Sequence, residues 1–119
     1  MTKTAVQIDL VYVEDEQETM RIHAILSNGK LASPEMYCHL YEWNKEDKRE
    51  LQPGLLTDED GEFRKYVGEW GIGDDSDVTF EFLDRPLAVG QQVTRTDVVA
   101  NERHVYTYEI KSIVDLLSD

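Results

Sequence analysis

The sequence is short of the residues that would staple it, carry it across a bilayer or let it grip a nucleic acid. There is one cysteine, Cys38, so no disulfide can close within the chain, and the composition fits a reducing compartment. No apolar run approaches the roughly 18 residues of a membrane-spanning helix. Met1-Thr2-Lys3-Thr4 runs straight into an alternating segment with no apolar h-region, so a cytoplasmic protein without a signal peptide is expected. Cations are scarce: Lys and Arg number 12 against 25 Asp and Glu, for a net charge of −13. Phosphate recognition needs clustered cations, so the charge argues against direct nucleic-acid binding. There is no serine nucleophile elbow, and Gly68, Gly71 and Gly73 are wrongly spaced for a phosphate loop and lack a following helix.

What is present is a substantial apolar fraction, 40% of 119 residues. That suffices for one core, and the length suits one domain spanning residues 1–119. The apolar residues recur at period 2. Val6, Ile8, Leu10 and Tyr12 share one parity and predict a strand over 5–14. The acidic run 14–18 reads as a solvated turn. Met20, Ile22, Ala24 and Leu26 predict a strand over 19–27. Asn28-Gly29 follows, a pair that tolerates the positive φ of a tight hairpin turn. In 35–43, Met36, Cys38 and Leu40 take one face, set inward here. Tyr37, His39, Tyr41 and Trp43 take the other.

Further strands are expected at 51–57 (short, interrupted by Pro53-Gly54), 62–69, 78–83, 93–99 and 105–114. No ordinary helix, repeat or linker is apparent. Seven or eight short strands with turn signals every 8–12 residues are the pattern of an antiparallel sandwich or barrel.

One stretch resembles a known family. Gly29-Lys30-Leu31-Ala32-Ser33-Pro34 precedes an alternating strand containing Leu40-Tyr41-Glu42-Trp43. A charged loop follows, then Thr57-Asp58-Glu59-Asp60-Gly61-Glu62-Phe63. This order, over residues 29–63, resembles the transthyretin-like and carboxypeptidase-regulatory-like domains, with their "V-x-L-Y" strand and "T-D-x-x-G-x-F" hairpin. The resemblance implies an immunoglobulin/transthyretin-like β-sandwich of seven to eight strands; a small closed barrel is the alternative. The hairpin's own logic is structural. Asp58 is placed to accept backbone N–H groups, Gly61 to take positive φ, and Phe63 to enter the core.

Enzymes with related folds do not fit the residues. The hydroxyisourate hydrolases, which resemble transthyretin, end in Tyr-Arg-Gly-Ser, whereas this sequence ends Asp115-Leu116-Leu117-Ser118-Asp119. Intradiol dioxygenases hold iron with two tyrosines and two histidines. His23, His39 and His104 lie far apart here and have no ligand spacing. Cys38 and His39 are strand neighbours on opposite faces, so one cannot activate the other. The carboxylates at 58–60 and 74–77 offer oxygen for calcium, but the EF-hand register is absent and solvated turns are the simpler reading. No cofactor, metal or catalytic set is expected.

The acidity is then the strongest signal. Loops gather at the ends of a sandwich, so the clusters at 14–18, 58–62 and 74–77 are expected to merge into one acidic surface. Such a surface steers toward a basic partner, and aromatics beside it suit an interface. The expected contact residues are Tyr41, Trp43, Asp58, Asp60, Trp70, Asp74 and Asp75. The expected role is a non-enzymatic acidic interaction domain, in its concrete form an inhibitor or immunity-type protein on a basic protein surface. The alternative is a structural or adhesive domain that forms a homodimer through edge strands, with 105–114 as the candidate edge.

Overall fold

The computed structural model describes residues 3–43, 46–70, 77–83, 85–99 and 101–116; of Trp70, only the backbone is described. Nine strands appear among these: β1 (Lys3–Tyr12), β2 (Asp15–Ser27), β3 (Lys30–Leu31), β4 (Glu35–Trp43), β5 (Arg49–Asp58), β6 (Lys65–Trp70), β7 (Asp77–Glu81), β8 (Gln92–Val99) and β9 (Glu102–Asp115). Each pairs antiparallel with a sequence neighbour, β4 taking β2 as partner beyond the two-residue β3. The last strand, β9, returns to the first, from Val6↔Asp115 to Tyr12↔Tyr108.

That pairing corrects the expected sandwich. The chain is all-β, but it is a closed, eight-stranded, antiparallel up-and-down barrel. Transthyretin-like sandwiches divide their strands between two sheets, which needs crossovers. Here every connection joins neighbours, so one sheet curls until its ends meet. The strand 105–114, expected to be an edge, is built into the closure. Residues 102–109 of β9 pair with β8 and residues 108–115 with β1, so Tyr108 and Glu109 pair on both sides.

Local chemistry explains the corners. Asn28 and Gly29 take φ of 54° and 84° between β2 and β3, the left-handed pair that a two-residue hairpin requires. Gly29 has a second reason to lack a side chain: a Cβ there would meet Cβ of Pro86 at 3.1 Å. The acidic run is mostly strand, since only Val13-Glu14 turn before β2 begins at Asp15. β5 runs through Pro53-Gly54 without a break. Residues 62–64, expected as strand, are irregular, and β6 begins at Lys65.

The period-2 parity sends one side of every strand inward. Val6, Ile8, Leu10, Met20, Ile22, Met36, Cys38, Leu40, Leu56, Tyr66, Phe80 and Ile110 fill the interior. Tyr66 and Phe82 meet edge to face, with ring centres 5.8 Å apart, and the Tyr66 hydroxyl donates to the Ser33 carbonyl at 2.8 Å. An eight-stranded barrel is just wide enough for side chains to fill it. Its apolar side is inward and its charged side outward, the reverse of a lipid-embedded barrel. No helix among the described residues is long and apolar enough to cross a membrane.

Candidate functional site

An up-and-down barrel sends alternate connections to opposite ends. The β1–β2, β4–β5 and β8–β9 links share one end; β2–β3, β5–β6 and β7–β8 share the other. The acidic run 14–18 and the hairpin at 58–62 are therefore at opposite ends of the molecule. They do not merge into one surface, as loops gathered at one end of a sandwich would.

At the first end the interior turns polar. On β8, Val93, Arg95 and Asp97 share the inward parity, so a cation and a carboxylate follow a core valine into the barrel. Arg95 Nε donates to Asp97 Oδ1 at 2.7 Å and its Nη2 to Oδ2 at 2.8 Å, a bidentate fork. Nη1 donates to Glu42 Oε2 at 3.3 Å and to the Tyr108 hydroxyl at 3.2 Å. The guanidinium carbon stands 5.3 Å from the centre of the Tyr106 ring, its register partner on β9. Burial disfavours the charge. The Asp97 hydrogen bonds and the nearby Tyr108, Asp97 and Glu42 outweigh it and hold the arginine above its usual pKa. Four of its five N–H donors are thus bonded, and Arg95 is a locked structural cation.

The rim around it is acidic and aromatic. Tyr12 packs against Tyr106 and Tyr108, with centroids at 5.7 and 5.6 Å. Its hydroxyl donates to Glu14 at 2.7 Å, and this bond, then burial, pushes its pKa up to about 12. Burial raises the Glu18 carboxyl, which accepts the Trp43 backbone N–H at 3.5 Å. The Trp43 indole donates to Asp15 at 2.9 Å. Arg95 faces Glu42, Asp97 and Glu18, with Glu14 and Asp15 outside them; Lys48, Arg49 and Arg103 also lie at this end, and the acids outnumber the cations. Among the described residues no buried side-chain N or O lacks a partner, and no cluster of three His, Cys, Asp or Glu residues could hold a metal.

The expected contact residues are dispersed. Tyr41 and Trp43 are two apart on the outer face of β4, and Arg49 stacks 4.3 Å over Tyr41. Trp43 is partly committed within the chain through Asp15. At the far end, Asp58 Oδ1 accepts the Phe63 N–H at 3.3 Å and Asp60 Oδ1 the Glu62 N–H at 3.0 Å. Gly61 has φ of 85°, and Phe63 packs against the core. Trp70 closes β6, and its side chain lies outside the described residues, as do Asp74 and Asp75.

Sequence reasoning missed Arg95 and Asp97. The signal was present: a cation and an acid two apart, in parity with Val93, in a segment read as a strand.

A concavity of about 480 Å³ opens on the outer face over β1, β2, β4 and β5. Asp9, Arg21, His39, Tyr41 and Leu51 line it, with Arg21 Nε bonded to Asp9 at 2.8 Å. Comparison with protein-family models, with curated proteins and with solved structures finds no match to this chain.

Proposed function

We propose that this chain is a non-enzymatic binding domain that docks the acidic end of its barrel onto a basic protein surface, as an inhibitor or immunity-type protein covers a cationic site. One observation carries the reading: the buried cation at that end, Arg95, is already bonded to Asp97, Glu42 and Tyr108. Lys48, Arg49 and Arg103 also lie at that end, but with Arg95 they are outnumbered by Glu14, Asp15, Glu18, Glu42, Asp97 and Glu102. Glu14, Asp15 and Glu18 sit beside Tyr12 and Trp43, which supply rigid contact area. Net charge of −13 steers a cationic partner, and the steering weakens with salt.

The test uses a fluorescein-labelled octa-arginine peptide, with anisotropy read at low and high salt. Glu14→Gln/Asp15→Asn/Glu18→Gln keeps the acceptor atoms and removes three charges at the docking end. Asp58→Asn/Glu59→Gln/Asp60→Asn removes three at the opposite end. The first triple should weaken binding about tenfold, 1.4 kcal/mol, and the second by less than about twofold. Equal losses from both would reduce the binding to bulk acidity and sink the proposal.

A second reading is self-association through β9. Its start, residues 102–106, pairs with β8 and has no ladder pairing to β1, which leaves a short flank for a second copy. Solution mass measured across a hundredfold range of concentration tests it; a monomer throughout removes it.

A further inference from the structure

We propose that His23 and His39 form a two-histidine site for a first-row divalent metal ion, Cu²⁺ or Zn²⁺, on the outer face of the barrel. The two lie far apart in sequence, and the β2–β4 pairing brings them together. In that ladder His23 faces Tyr37 and Arg21 faces His39, so the histidines are diagonal neighbours on one face. Their ring centroids are 6.3 Å apart, with planes inclined at 70°. Met20, Ile22, Cys38 and Leu40 point the other way into the core, so parity leaves both imidazoles on the outside.

Imidazole nitrogens bind zinc at about 2.0–2.1 Å in tetrahedral geometry, which places two ligating rings about 5–5.5 Å apart between centres. The observed pair needs only about 1 Å of approach. Both side chains are exposed, and the χ2 torsion of histidine is broad and soft. The closing motion is a ring rotation rather than a backbone change, and the closed barrel holds the two strands in register.

The electrostatics also favour a cation. A positive charge stands beside the pair, Arg21, the register partner of His39. It is bonded to Asp9 on β1 at 2.8 Å, on the side of β2 away from β4. The chain's net charge of −13 raises the local concentration of divalent ions. Imidazole donors suit copper and zinc, with copper the tighter by the general order of affinities. Two protein ligands leave the remaining positions to water, open toward the concavity that His39 helps to line.

The experiment is a calorimetric titration of the full, untagged chain with CuCl₂ and with ZnCl₂, with electron paramagnetic resonance of the copper form. The expected result is one ion per chain and hyperfine coupling to two nitrogens. His23→Ala and His39→Ala should each weaken binding by more than the roughly tenfold that even an outer-shell partner costs. The control is His104→Ala. That histidine, near Glu102 on β9, should leave affinity and spectrum unchanged.

All three histidines are exposed, so the variants should melt like the parent without metal. Added metal should raise the melting temperature of the parent and of His104→Ala, but not of the other two. Unchanged affinity in His23→Ala or His39→Ala would overturn the proposal, as would an equal loss in His104→Ala, which would assign the ion to surface carboxylates. The site is independent of the docking end, and Glu14→Gln/Asp15→Asn/Glu18→Gln should retain it.

Discussion

Arg95→Met removes the guanidinium from the barrel interior and leaves its carboxylates behind. Arg95 and Asp97 have side chains only 10% and 13% exposed and are joined by two short hydrogen bonds. Taking one partner from a buried pair costs about 3–5 kcal/mol, because the survivor stays desolvated and unpaired. Glu42 is 25% exposed and turns to water, so it adds little. The methionine stem keeps most of the packing. The expected loss at pH 7 is about 3 kcal/mol, against a total of about 5–15 for a domain of this kind. With a urea slope of about 1–3 kcal/mol/M, the midpoint falls by roughly 1–3 M.

A second variant separates this cause from simple loss of packing. Arg95→Met/Asp97→Leu, which removes both charges, should recover to within about 1 kcal/mol of the parent. Urea melts followed by circular dichroism at pH 7 decide the matter. A single variant within about 1 kcal/mol of the parent refutes the argument, as does a double variant no more stable than the single one.

Further outcomes follow from other features of the structure. Burial pushes the Cys38 thiol up to about 12, so its contribution to stability is complete below the ordinary value near 9 and is lost as pH climbs toward 12. Between pH 8 and pH 10 the parent should therefore lose about 1 kcal/mol more than Cys38→Ala in urea melts, and a thiol reagent at pH 8 should label the chain only once it unfolds. Gly61→Ala, at φ of 85° with open space around it, should cost about 1 kcal/mol by backbone strain alone. Asp58→Ala should cost a similar amount, about 1 kcal/mol, by stranding the N–H of Phe63, which itself holds φ of 58°. Leu56→Ala should cost about 2–5 kcal/mol in thermal or urea melts, since the leucine is fully buried in a filled barrel.

Most elements were legible because their cause is local. Alternation marked β1, β2 and β4 and chose the inward face of each: Val6, Ile8 and Leu10; Met20 and Ile22; Met36, Cys38 and Leu40. Asn28-Gly29 announced its turn through the φ values it tolerates; at Asp60-Gly61 only the positive φ of Gly61 was met, since the link between β5 and β6 spans residues 59–64 rather than a tight turn. The segment 14–18 was misread because charge was taken for solvent exposure in a turn, whereas a hairpin of Val13-Glu14 lets acidic residues sit on the ladder from Asp15 onward. The Arg95–Asp97 pair was overlooked because an inward arginine looks improbable until its partners Glu42 and Tyr108 are known. Those come from β4 and β9, distant in sequence.

The sequence by itself determined an all-β chain, the buried side of β1, β2 and β4, and the Asn28-Gly29 turn. Each depends on side-chain period or on one residue's φ preference, both readable within a few neighbours. Tertiary structure alone decided that the sheet closes, with Val6 meeting Asp115, since a sandwich and a barrel ask the same alternation of every strand. Closure then set the rest. It put the acidic runs at opposite ends, sealed Arg95 among its carboxylates and set His23 beside His39. These are consequences of which strands are neighbours and in what register, and that is a property of the whole chain.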